Sequence, residues 1–548
     1  MATGSQCYVA ARLGNLRLET SLTRRLPEVM WRSTAEGTET LDCNAATAGQ
    51  DSFISCLSTR NVPETIIYAT LNQNYTSVLQ EYIRNGRFNT SQTPKPTLIL
   101  TPTDESQVGE VVICAKEAAL GLRIRSGGHD YEGLSYTSKT PFAILDMFNL
   151  RSIQIDLTNQ TAPTAWVQSG ATLGELYYKI WETSETLAFP AGVCPTLGIG
   201  GHISGAGYGN LLRKYGLSID NVADAKVVDA SGRILDRAAM GEDLFWAING
   251  GGGASFAVVL SYKINLVTIP NPVTIFKVTK TQDENATEIL HRWQFVADKF
   301  DNELFVRVNI FSSGNATASV TFIAMYLGNS DDLVRISMAQ FPELGLEKQH
   351  CKELSWIKAA MLWAEFPDNA PETALLARNP GPSTFKIKSD YVTSPISISG
   401  LDGLLQRIAA VGNGLFVKFN PYGGRMSEIP AAATAFPHRE GNIYKIQYFY
   451  FWKEVGPGVE EKRLQIVRDL YDYMAAFVSN DPRKAYLNYR DVEIGSKSEG
   501  NGVEAYIEAK VYGVKYFGDN FDRLVRIKSV VDPTNFFSYE QSIPLLQE

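Results

Sequence analysis

The sequence predicts a mixed α/β protein with two domains, and three observations carry that reading. Helical and strand patterns alternate between residue 61 and residue 147. Strands then dominate from Ile153 to Val267. Beyond Pro270–Pro272 the texture changes to long alternating runs separated by amphipathic helices. The 548 residues are enough for two or three domains with a large buried core.

The first region reads Thr65–Leu71, Thr97–Leu100, Asp104–Leu120, Leu122–Arg125 and Pro141–Leu145, an α/β unit with short connections. In the second, a helix is predicted over Thr172–Glu182, and Gly250-Gly251-Gly252-Gly253 marks a glycine-rich turn. In the third, Thr274–Thr279, Leu304–Phe311 and Ala318–Tyr326 read as strands, with helices over Glu288–Phe300 and Asp331–Met338. That combination suits an antiparallel sheet carrying helices on one side. A last helix is predicted over Phe521–Val531, and no internal repeat or low-complexity tract is evident.

Composition narrows the function classes. A net charge of -8 and the lack of any long Lys/Arg block argue against nucleic acid as a partner. No apolar run approaches a membrane span. The five histidines are scattered and no C-x-x-C occurs, so no metal site is expected. No P-loop exists, and Gly205-Ala206-Gly207-Tyr208-Gly209 lacks Rossmann spacing. Sequons at Asn74, Asn89, Asn159, Asn285 and Asn315 favour export. Against export, residues 1–50 hold Arg12, Arg17, Arg24, Arg25 and Arg32 and no continuous apolar stretch, unlike a signal peptide.

Two glycine-dense segments carry the chemistry. Ser126-Gly127-Gly128-His129-Asp130-Tyr131 follows the apolar-basic run Leu122–Arg125, which places His129 at a strand end. The second, from Ala191 through Cys194 to Gly209, presents a lone cysteine on a similar turn. Glycines let backbone approach a flat or charged ligand, so the pair suggests a cofactor gripped from two sides. Arg125 to Tyr136 and Cys194 to Gly209, with Ala485–Asp491 and Asp532 through Pro544 in the same order, resemble the plant berberine-bridge-enzyme-like flavoproteins. That group includes cannabinoid synthases, monolignol oxidoreductases and carbohydrate oxidases.

The resemblance implies an α+β architecture: the vanillyl-alcohol-oxidase (PCMH-type) FAD-binding fold with an inserted antiparallel-sheet substrate domain. It implies an FAD domain over 51–270, a substrate domain over 271–468 and a return to the FAD domain over 469–548, while residues 1–50 read as a leader that does not look like the family's own. It also implies FAD bonded through His129 and Cys194, a Cys56–Cys114 disulfide and a secreted monomer acting on a small molecule. Cys7, Cys43 and Cys351 are left without an assigned partner. Phosphates would lie against backbone N–H groups of Arg123–Gly128 and Gly200–Gly209, a nest-like anion site. Arg123, Arg125, Ser126, Gly127, Gly128, Asp130, Ser135, Gly198, Gly201, Gly207, Tyr208, Gly209 and Asn488 complete the expected cofactor contacts. His202 either supports the pyrophosphate or anchors a turn.

Tyr489 matches the family tyrosine that abstracts a proton. A phenol with a pKa near 10 needs a cation or donor to make it a base, and Lys445 and Gln447, on one face of a predicted strand, are the candidates. Tyr131 and Tyr208 match further cleft tyrosines, while Tyr422 suits either the cleft wall or core packing. Leu197 sits where leucine resembles members that obstruct dioxygen, and Ala206 replaces a usual glycine, an expected shift of packing only. The implied activity is tyrosine-assisted oxidation of a phenolic, prenylated phenolic or allylic alcohol, with hydride passing to flavin N5 and oxidative cyclisation as one outcome. Its rivals are a carbohydrate oxidase or dehydrogenase and a flavin-retaining cyclase of the Diels–Alder type without net redox.

Overall fold

A computed structural model describes residues 43–546 except 315, 380, 499 and 501. The expected leader falls almost entirely outside the described residues, as do Cys7 and Asn315.

The early α/β unit is a four-stranded sheet in the order Ile67–Ala69, Leu98–Leu100, Phe142–Asp146, Gly121–Arg125. Its last three strands are parallel, so both faces must be covered. The helix Glu105–Glu117 supplies Val108, Val111, Val112 and Ala115 to one face. It starts at an Asp104–Gln107 capping box, in which each side chain satisfies a backbone N–H. A Cys56–Cys114 disulfide joins it to the helix Cys43–Thr59. The next unit is an antiparallel five-stranded sheet in the order 153–156, 164–168, 258–265, 222–228, 234–235.

The third region is a seven-stranded sheet whose described pairings are all antiparallel. Alternation sorts its residues. Val306, Val308, Ile310, Val417, Phe419 and Ile446 share one core with the helices Ala286–Trp293, Ile398–Val411 and Val459–Met474. The opposite face looks toward the first two sheets and is polar at its centre. Two expectations shift here. The helix expected to reach Phe300 is regular only over Ala286–Trp293, after which several i→i+3 bonds tighten the chain. Asp469, the expected point of return, lies inside the helix Val459–Met474, whose Leu464, Val467, Leu470 and Met474 pack with the seven-stranded sheet.

The closing helix Phe521–Val531 packs against Arg237–Ile248, a helix that sequence pattern did not reveal because Gly241, at φ 76°, interrupts its periodicity. Of the described sequons, Asn74, Asn159 and Asn285 are exposed and Asn89 is half-buried. No described helix is long and apolar enough to cross a membrane.

Candidate active site

The two glycine-dense turns meet because they are glycine-dense. A Cβ on Gly127 would stand 2.4 Å from the backbone N of Gly198, and one on Gly198 would stand 2.3 Å from that of Gly127. Both distances are impossible, so this contact requires glycine on both sides. The contact brings His129 and Cys194 to one side chain, Thr196. His129 Nε2 lies 2.9 Å and Cys194 Sγ 3.5 Å from Thr196 Oγ1. Burial, reinforced by Arg84, pushes the His129 imidazole down to about 3, so it is neutral.

A long cavity runs between these turns and the polar face of the seven-stranded sheet. Along it lie Arg123, Ser126–Tyr131, Ser135, Cys194, Leu197, Gly198, Gly201, His202 and Tyr208. Arg307, Lys418 and Gln447 close it from the sheet, and Tyr486, Asn488, Tyr489, Arg490 and Tyr539 from the returning chain.

Several expected cofactor contacts turn out to hold this frame. Arg125 does not line the cavity: its guanidinium is fully buried against Asp146 at 2.7 Å and the carbonyls of Val78 and Leu79. Those bonds use four of its five N–H groups on the protein itself. Gly207 and Gly209 also stand outside the lining; a Cβ on Gly209 would fall 1.7 Å from Ala191 O. Asn488 donates to His202 O at 2.9 Å and fits against Gly205. His202 accepts from Gly192 N at 3.1 Å, so it anchors the cysteine-bearing turn from behind. Arg123 is tied to Glu540 and Ser138, and Asp130 to Arg490 at 3.0 Å.

Ala206 does more than shift packing. Its φ is 96°, a region that side chains rarely adopt, and it is followed by Gly207 at 68°. Ala206→Gly should therefore raise stability by about 1 kcal/mol, read as a higher denaturation midpoint.

Four tyrosines form the cavity's aromatic end. Tyr131 stacks on Tyr489 at 5.8 Å, while Tyr208 and Tyr486 meet Tyr489 edge-on at 6.0 and 5.0 Å. The hydroxyls of Tyr208 and Tyr489 share a short hydrogen bond. Lys445 makes no hydrogen bond to Tyr489. Its Nζ lies over the ring faces of Tyr208 and Tyr486, at 3.2 and 3.5 Å, and 4.8 Å from that of Tyr489. Ring quadrupoles favour the cation there, whereas burial draws its pKa well below the usual range. Burial, followed by Tyr208 and Tyr131, pushes the Tyr489 phenol well above 10, and the opposing cation is Arg307. Sequence reasoning missed Arg307 because one arginine on an alternating strand gives no signal of where it points. Tyr422 packs edge-on against Tyr391 and stays out of the cavity, the core-packing alternative.

The FAD binding domain family matches residues 96–237, and the family described as berberine and berberine like matches residues 485–544. Berberine bridge enzyme-like 8 of Arabidopsis thaliana is 49% identical over 514 residues, covering 92% of this chain and 96% of its own length. The chain belongs to the berberine bridge enzyme-like family. Tetrahydroberberine oxidase of Berberis wilsoniae is 49% identical over 506 residues, 91% of this chain and 94% of its own. Among solved structures, Phl p 4, a grass pollen allergen with glucose dehydrogenase activity, superposes with a TM-score of 0.86 at 42% identity. It covers 90% of this chain and is itself covered completely. Berberine bridge enzyme-like proteins are FAD-dependent oxidoreductases acting on small molecules, and the expected α+β, PCMH-type fold is the one observed.

The cavity fits that cofactor on the chain's own chemistry. A Cβ on Gly201 would meet nothing within 4 Å, so the helix Ile199–Ser204 presents bare backbone to the cavity. The buried Ser135 and Ser169 hydroxyls on its wall have no hydrogen-bond partner among the described residues. Polar atoms buried in this way call for a ligand or solvent to satisfy them.

Proposed function

We propose that this berberine bridge enzyme-like protein holds FAD covalently through His129 and Cys194 and oxidises a phenolic or allylic alcohol. The carrying observation is that Tyr489, hydrogen-bonded to Tyr208, faces the same cavity in which His129 and Cys194 converge on Thr196. Bound FAD supplies the two-electron acceptor that takes hydride from the substrate carbon.

The residues perform the remaining tasks. His129, neutral and desolvated, offers a nitrogen lone pair for attachment. Tyr131, Tyr208 and Tyr486 give an aromatic substrate stacking surfaces. Tyr489, once ionised, takes the substrate hydroxyl proton through its phenolate oxygen, which faces the Tyr208 hydroxyl and whose charge Arg307 favours. The disulfide and the exposed sequons support action in the secretory pathway.

Likeness to Phl p 4 supports the carbohydrate alternative, and one experiment separates the readings. Purified protein is acid-precipitated, and the peptides carrying His129 and Cys194 are weighed; yellow pellet and flavin-bearing peptides are expected. Anaerobic mixing with coniferyl alcohol should then bleach the flavin. Bleaching by cellobiose alone assigns a carbohydrate substrate, turnover without bleaching assigns a cyclase, and unmodified peptides refute the covalent attachment.

Leu197, on the cavity wall, is the proposed obstacle to dioxygen. Wild-type Phl p 4.0202 is a glucose dehydrogenase, and an isoleucine-to-valine variant of Phl p 4 is a glucose oxidase. Leu197→Val should accelerate reoxidation by dioxygen in stopped-flow about tenfold, the effect of roughly one methylene of obstruction. Equal rates would remove the obstacle role.

A further inference from the structure

The sheet face that closes the cavity carries more positive charge than the proton-transfer role of Tyr489 uses, which engages Arg307 alone. Strand register puts Asn309, Lys418, Gln447 and Ser389 opposite one another across four strands. The neighbouring row holds Asn420, Lys445 and Tyr391, with Arg307 reaching Asn420 Oδ1 from the adjacent strand at 2.7 Å. Arg307, Lys418 and Lys445 thus share one small area. No carboxylate lies within ion-pair distance of any of them among the described residues. The carboxylate that acts on Lys418 is Glu365, through its charge.

Elsewhere buried cations have their acceptors: Arg84 and Arg213 bond carbonyl or amide oxygens, and others meet carboxylates. Arg125, Lys386, Lys388, Arg439 and Lys528 each have a carboxylate within 2.7 Å. Clustered buried cations without an anion are costly, since each is desolvated and repels the next. Arg307 and Lys418 line the cavity, and Lys418 keeps part of its surface open to it although the residue is deep in the molecule. The Arg307 Nε is committed to Asn420, and its terminal nitrogens have no protein acceptor among the described residues. Lys445 Nζ and Asn420 Nδ2, buried just behind, are also without hydrogen-bond partners there.

We propose that Arg307 and Lys418 form a receptor for a carboxylate on the substrate, so that the alcohol oxidised here also carries an acid group. A planar guanidinium beside a flexible ammonium suits a carboxylate, whose two oxygens can accept from both. The inference rests on this cavity being the substrate cleft, as in the function proposed above, and narrows that substrate to an anion.

The test uses the flavin-loaded holoenzyme, reduced anaerobically with dithionite so that nothing turns over, and calorimetric binding of two matched pairs, 5-carboxyvanillyl alcohol against vanillyl alcohol and glucuronate against glucose. Expected is roughly ten- to hundredfold tighter binding of the carboxylated member in one pair, the range for a charge-assisted hydrogen bond in a desolvated site. The pair that shows the preference identifies the skeleton, phenolic or sugar. Lys418→Gln should collapse the ratio of carboxylated to neutral affinity toward one, and Lys418→Arg should restore it. Equal or weaker binding of both acids by the wild type overturns the proposal, and so does an unchanged ratio in Lys418→Gln. Because binding is read without turnover, that failure is distinct from failure of the oxidation chemistry, which flavin bleaching reports.

Discussion

Tyr489→Phe should slow flavin reduction about 10²- to 10⁴-fold, the usual span for losing a general base, while the cofactor stays attached. The substitution removes one oxygen and keeps the ring stacked on Tyr131 and edge-on to Tyr208 and Tyr486. His129 and Cys194 sit on other loops, so attachment is untouched, and denatured protein should remain yellow. A pH profile adds a sharper readout. Burial holds the Tyr489 phenol protonated well past 10, so the fraction able to accept a proton grows with pH. The wild-type reduction rate should climb with pH without levelling off below about 10, and that climb should vanish in Tyr489→Phe. Arg307 is the cation that opposes burial, so Arg307→Met should lower the rate across the neutral range. An unchanged rate in Tyr489→Phe would remove the base assignment.

Much of this site was legible because glycine and rare side chains leave local marks. The pairing of Gly127 with Gly198 is written into both motifs, and His129 and Cys194 stand out because each follows such a turn. What stayed hidden depends on three-dimensional register. Arg125 sits inside a motif that reads as cofactor chemistry, yet its guanidinium is taken up by Asp146 and the carbonyls of Val78 and Leu79, partners that only the fold supplies. Lys445 and Gln447 share a face, as period two requires, but only packing shows that Lys445 lies on the aromatic rings instead of reaching a phenol oxygen. Arg307 and Lys418 belong to strands far apart in sequence, and nothing short of the pairing of residues 304–314, 415–421 and 444–452 brings them together. The same limit applies to the domain boundary. The helix Val459–Met474 is amphipathic, and sequence cannot say which of two sheets receives its apolar side.

Glu132 and Asp491 show that the motifs also fasten the two halves of the molecule, and this leads to the largest stability effect. Lys386, 1% exposed on the strand Thr384–Val392, bonds Glu132 beside the His129 loop and Asp491 beside Tyr489, the latter at 2.7 Å. Lys388 pairs with Asp491 and Glu493, and Arg468 also bonds Glu493. Among the described residues, Lys386→Met would leave Glu132 with only Arg87, at 3.6 Å, and would strip Asp491 of one of its two cations. Breaking a buried pair from one side costs about 3–5 kcal/mol, because a desolvated charge remains. The exposed pair Lys179–Glu182, each about half accessible, supplies the control: Lys179→Met should change stability by less than about 1 kcal/mol. Acid titration gives the sign. Burial alone would raise Glu493, but Lys386, Arg468 and Lys388 outweigh it and hold the carboxyl at about 2 against an ordinary 4.5. Its stabilising contribution is therefore complete above pH 4.5 and is lost as pH falls toward 2. Wild-type denaturation midpoints should drop across that window, and the drop should be shallower in Lys386→Met. Since Tyr131 adjoins Glu132 and Arg490 separates Tyr489 from Asp491, the loosened latch should also slow flavin reduction. Adding Glu132→Gln to Lys386→Met should recover part of the lost stability by removing the stranded charge; no recovery would mean that lost packing, not the unpaired carboxylate, sets the cost.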